Sequence, residues 1–143
     1  MSYDQARQDI QTEIERARTA WTAYDLPIET ENRDSVNLVD LTTPYIMVDI
    51  LWGDAQQLDM NPNPLTADYG TILLAAGVKE GNGTRPLLEL LEHFRPYLQM
   101  RHPLGTVRTH IAKIQDKPLR IKGYYYLLMQ VPFWTVQAAP AVP

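Results

Sequence analysis

Three histidines, two serines and seventeen carboxylates are the groups in this 143-residue chain that could carry acid–base, nucleophilic or metal chemistry. His93, His102 and His110 are not spaced three or four apart, so no helical metal pair exists. A helix over the His93 region puts that histidine on its polar side, which makes it an ordinary surface residue. The carboxylate pairs Asp54 with Asp59 and Glu89 with Glu92 fall in a polar loop and on an exposed helix face, where nothing raises a pKa by burial. Ser2 has the position of a helix cap and Ser35 lies in a polar stretch, and no Gly-x-Ser-x-Gly elbow surrounds either. The segment Gly77 to Arg85 has the glycines of a phosphate loop but not the Gly-Lys-Ser/Thr that reaches phosphate, so it reads as a turn. The chain has no cysteine, which removes disulfides, thiolate zinc, iron–sulfur clusters and cysteine nucleophiles.

These residues therefore predict no catalytic site, no metal and no cofactor. A small enzyme or ligand-binding domain would need one of the three histidines buried beside a carboxylate. The alternative is a protein that works by assembling with others.

The elements that must position these groups are those of one α+β domain over residues 1–136, followed by a flexible tail at 137–143. Residues 2–24 form an amphipathic helix roughly 33 Å long. Ala6, Ile10, Ile14, Ala17, Trp21 and Tyr24 make its stripe, with Ser2 and Gln5 at capping-box spacing and Pro27 ending it. Residues 28–43 read as a short strand and a polar loop. Tyr45 to Trp52 is a strand with Ile46, Val48, Ile50 and Trp52 on the buried face and Asp49 on the other. Gly53 to Pro64, with two Asn-Pro steps, reads as a long loop. A strand follows over 66–78, where Gly70 marks a bulge or a close contact.

The second helix starts near Thr84 and Pro86, carries the stripe Leu87, Leu88, Leu91, Phe94 and Leu98, and is ended or kinked by Pro96. Val107 to Ile114 and Ile121 to Trp134 are the last two strands. The order α-β-β-β-α-β-β makes a mostly antiparallel sheet of four to five strands with two helices on one face. The other face is then wet or meets a partner. In the last strand Tyr124, Tyr126 and Leu128 share one side and Tyr125, Leu127, Met129, Val131 and Phe133 the other; either could face the helices. The side left over is a candidate subunit contact, since tyrosine suits interfaces, or is covered by the chain's own loops.

The net charge of −4 argues against general nucleic-acid binding. From Asp25 to Asp68 there are nine acids and one base, and from Lys79 to Lys122 nine bases and four acids. Chance asymmetry on a solvated surface gives such a split, and so does a head-to-tail contact of the kind that closes into rings. No apolar run is long enough to span a bilayer and the N-terminus lacks a signal-peptide core, so an intracellular setting without a membrane is expected.

The whole pattern resembles the tail terminator (tail-completion) proteins of long-tailed bacteriophages. The resemblance is carried by the N-terminal helix, Pro44-Tyr45-Ile46-Met47-Val48-Asp49-Ile50, Tyr69-Gly70-Thr71-Ile72-Leu73-Leu74-Ala75-Ala76-Gly77-Val78, the glycine turn into the second helix, and Gly123-Tyr124-Tyr125-Tyr126-Leu127-Leu128-Met129-Gln130-Val131-Pro132-Phe133. It rests on element order, length and hydrophobic blocks over residues 1–135, while the Asn-Pro-rich loop matches no family contact. The resemblance implies a structural virion protein of the tail and neck, assembled in the host cytoplasm. It would act as a homohexameric ring that caps the tail tube and offers the head-joining surface, with a channel for DNA but no sequence-specific DNA binding. Its partners would be further copies of itself, the tail tube protein and a head-side connector. Another neck or connector protein is the alternative. The contact surface expected from the sequence comprises Arg33, Asp34, Asp54, Asp59, Arg101, Arg108, Tyr124 and Tyr126.

Overall fold

The computed structural model describes residues 3–30, 43–58, 60, 65–79, 85–115, 119–121 and 123–138. Its elements are α1 (Tyr3–Ala20), β1 (Ile28–Thr30), β2 (Tyr45–Gln57), β3 (Leu65–Lys79), α2 (Arg85–Leu98), β4 (Arg108–Thr109), β5 (Lys113–Ile114), β6 (Leu119–Ile121) and β7 (Tyr124–Ala138). The fold is α+β, as expected. Strands β2 to β7 pair antiparallel, and the short β1 adds in parallel to β2.

The sheet order is β1-β2-β3-β7, with β4, β5 and β6 sharing the outer edge of β7. The three pieces occupy one edge position, which gives five positions against the four to five expected. The single strand expected over 107–114 is nevertheless broken. His110 donates its N–H to the Pro132 carbonyl at 2.8 Å. In an antiparallel ladder the N–H and C=O of one residue face the same neighbour, and proline has no N–H to return. The edge departs there, and the Ala112 N–H turns to the Gln99 side chain at 3.2 Å instead.

Both helices lie on one face. Ile46 and Val48 of β2, Ile72, Leu74, Ala76 and Val78 of β3, and Leu127, Met129, Val131 and Phe133 of β7 point to that face and form the core with both helices. This settles the two sides of the last strand: Tyr125, Leu127, Met129, Val131 and Phe133 face the helices, while Tyr124, Tyr126 and Leu128 lie on the other side. Asp49 falls on the uncovered side too, as its charge requires.

Several boundaries differ from the sequence reading. The first helix stops at Ala20, four residues short of the expected end. Arg18 donates Nε to the Leu26 carbonyl at 2.9 Å, and Trp21 meets Tyr24 edge to face at 5.7 Å. The chain thus folds back before Pro27, and its aromatic residues pack off the helix. In α2 it is Leu90, not Leu88, that completes the buried stripe with Leu87, Leu91, Phe94 and Leu98. Pro96 lies in the last turn and the helix ends two residues later. Residues 53–57, read as loop, continue β2 past a bulge between Trp52 and Ala55. Gln137 and Ala138, assigned to the tail, belong to β7, where Ala138 pairs with Leu65. Ser2, the expected cap, lies outside the described residues.

Two glycines are fixed by close approach. A Cβ on Gly70 would sit 2.5 Å from the Phe133 ring and 2.7 Å from the Leu51 carbonyl oxygen. A Cβ on Gly77 would sit 2.7 Å from both the Tyr45 and the Tyr126 rings. Gly70 is thus a packing contact, and the bulge lies across from it on β2.

Candidate functional site

Of the eight residues expected to form a contact surface, the five described ones are spread over β2, the stretch after α2, β4 and β7. Arg33, Asp34 and Asp59 lie outside the described residues. Asp54 sits in the β2 bulge, exposed. Arg108 is exposed on the β4 edge.

Arg101 is not a free surface cation. It donates Nη1 to Glu13 Oε1 at 2.9 Å and to the Tyr97 carbonyl at 3.0 Å. Glu13 is buried on α1 and also accepts from Arg16 at 3.0 Å. The sequence puts Arg101 just past the end of α2, where a guanidinium can satisfy a last-turn carbonyl and reach the neighbouring helix at once. Its charge therefore ties the two helices together.

The 99–107 segment is held by a second tie. The Thr106 N–H donates to Asp9 Oδ2 at 2.8 Å and its hydroxyl donates to the same oxygen. Burial works against the Asp9 charge, but the bonds from Thr106 and from Gln5 outweigh it and hold the carboxyl below its usual range. Gly105, at φ +60°, brings the backbone against Asp9, so that a Cβ would lie 2.5 Å from the carboxyl carbon. The Thr109 hydroxyl closes the segment by donating to the Leu98 carbonyl.

Tyr126 is half-buried on the uncovered sheet face. Its hydroxyl meets that of Tyr45 at 2.9 Å, the two rings meeting edge to face across Gly77. Tyr45, which the sequence did not single out, is 1% exposed. Tyr124 lies beside Tyr126, ring centroids 6.4 Å apart. Next to this pair Met47, Ala75, Leu119, Tyr126 and Leu128 line a shallow apolar groove of about 240 Å³.

The histidines are placed differently from one another. His93 is half-buried between the helices, with Nε2 2.7 Å from the Ala17 carbonyl oxygen and rings of Trp21, Phe94 and Tyr97 around it. It packs α2 against the end of α1, which corrects the surface reading. His102 and His110 are exposed and flank Trp134, at 5.5 and 4.5 Å. Among the described residues no three His, Asp or Glu side chains cluster as metal ligands. Two tyrosines, Tyr24 and Tyr3, have raised pKa values, each for a structural reason. Burial pushes Tyr24 up to about 12, and its hydroxyl donates to the Pro44 carbonyl. The hydrogen bond to Asp68 raises Tyr3.

Two further surfaces stand out, the first around the 53–64 segment that the sequence already offered through Asp54 and Asp59. Over Leu51–Leu58 and Leu65–Tyr69 the ends of β2 and β3, with β7 paired beside β3, form an arm with Leu51, Leu58, Met60, Leu65 and Tyr69 exposed. Along the outer edge of β7, a groove of about 870 Å³ opens between α2 and β5, lined by Arg85, Leu88, Arg95, Ile111 and Lys113 among others.

No family pattern matches the sequence, and no curated protein matches it. Nineteen chains of solved structures do match in fold. One of them superposes with a TM-score of 0.71 at 13% identity, covering 99% of this chain and 99% of that chain. The likeness is one of fold.

Proposed function

We propose that the protein is a structural subunit of the tail terminator kind, assembling as a homohexameric ring that caps a phage tail tube and presents the surface joined by the head. The observation that supports this reading most is the uncovered sheet face. It carries Met47, Leu119, Tyr126 and Leu128 with no helix over them among the described residues, and the Tyr45 and Tyr126 hydroxyls bond across it. A face of this composition suits contact with other subunits better than chemistry. The resemblance in element order and hydrophobic blocks supplies the particular assembly, and the reading calls on no cofactor and no catalytic residue.

Native mass spectrometry of the purified chain tests the ring, with a hexamer as the expected species. Capture of the tail tube protein by the immobilised chain tests the terminator role. Binding to a head-side connector ring without any binding to the tube would replace it with a connector role.

A further inference from the structure

The exposed arm and the α2–β5 groove are complementary in chemistry. The arm is apolar and acidic: Leu51, Leu58 and Leu65 are exposed, Met60 is 91% exposed, and Asp54 projects from the bulge. The groove is apolar and basic. Leu88 and Ile111, the latter 60% exposed, are flanked by Arg85, Arg95 and Lys113 against the single acid Glu92. Arg85 and Arg95 are partly neutralised by Glu89 and Glu92 on their own helix. Asp54 and Lys113 have no ion-pair partner among the described residues.

One chain cannot bring the two together. Lys113 of the groove pairs with Gln130 in the middle of β7, whereas Leu65 of the arm pairs with Ala138 at its end. The eight residues of strand between Gln130 and Ala138 span about 26 Å. The contact can form only between copies, and it is heterologous, each copy giving an arm and receiving one.

We infer that the β2–β3 arm of one copy docks in the α2–β5 groove of the next, with Leu58 and Met60 against Leu88 and Ile111 and with Asp54 near Lys113. This rests on the ring reading and gives it a specific subunit contact. The apolar residues bury area that both surfaces now leave in water, and the charges set direction and register.

The absence of cysteine allows a clean test. Leu58→Cys and Ile111→Cys chains are prepared separately, mixed, and treated with a short thiol-to-thiol cross-linker. The expected result is a mixed dimer carrying one of each chain, in excess over dimers within either preparation. In parallel, Lys113→Glu is expected to weaken self-association about tenfold, and Asp54→Lys in the same chain to restore it. Circular dichroism checks that each variant folds. If rings form but the mixed dimer does not exceed the others and the second charge change restores nothing, the arm-in-groove contact is overturned while the ring stands. If the wild-type chain stays monomeric at the highest soluble concentration, ring and contact fall together.

Discussion

The hydroxyls of Tyr45 and Tyr126 meet at 2.9 Å on the sheet face opposite the helices, although the two residues are 81 positions apart in sequence. They reach each other because Gly77, the β3 residue paired with both, has no side chain between them. Gly77→Ala would drive a methyl group into both rings, and such overpacking costs about 1–3 kcal/mol. Tyr126→Phe removes one hydrogen bond and leaves the Tyr45 hydroxyl to find another, at about 1 kcal/mol. Urea unfolding followed by fluorescence is expected to rank the two variants in that order.

Arg101 and Arg108 sit seven residues apart in a basic stretch but predict different outcomes on charge reversal. Arg101→Glu sets a carboxylate against the buried Glu13 and strips the Tyr97 carbonyl of its donor. The loss is expected to be about 2 kcal/mol or more, as for hydrogen bonds to charged groups. Arg108→Glu changes an exposed edge residue and is expected to stay within about 0.5 kcal/mol. Equal midpoints for the two variants in denaturant would contradict the helix-tying role of Arg101.

Asp9 makes part of the stability depend on acid. Its folded pKa lies below the unfolded value of about 3.9, so its contribution is present above that value and is lost as pH falls through the folded pKa. Asp9→Asn is expected to be less stable than wild type at pH 7, with the gap narrowing in acid. Unfolding curves for both proteins from pH 7 to pH 2.5 check this, and a constant gap would refute it.

Gly105→Ala combines two penalties at one site. The residue is held at φ +60° and its new Cβ would strike Asp9. The left-handed backbone alone costs an L-residue roughly 1–2 kcal/mol. The variant is expected to lose more than that and also to loosen Thr106 from Asp9. Faster hydrogen exchange at the Thr106 amide is the specific sign.

Much of this architecture was legible in the sequence. The stripe of α1, the alternation in β2 and the apolar runs of β3 and β7 announce their elements through periodicity, because each has one face in the core. What periodicity could not show is where two apolar sides compete. In α2 both Leu88 and Leu90 fit a stripe, and only the position of α1 and the sheet selects Leu90. His93 reads as a surface group until Ala17 and Trp21 are placed beside it. Arg101 reads as a surface charge until Glu13 is seen one helix away. Asp54 was taken for a loop residue because a glycine and an acid in a strand look like a break, whereas here they form a bulge. The split of the outer edge did have a signal, a proline inside an otherwise apolar strand.

That proline has a consequence for how the chain can associate. Sheet proteins that leave a long bare edge are templates for fibres, since any strand can add to it without end. Here Pro132 interrupts one outer edge between the two-residue pieces β4 and β5, and the bulge at Trp52–Ala55 shifts the register of the strand near the other. Backbone-to-backbone growth is therefore poorly supported on either side. Copies of the chain are left to recognise one another through side chains, whose shape and charge fix a geometry that can close upon itself.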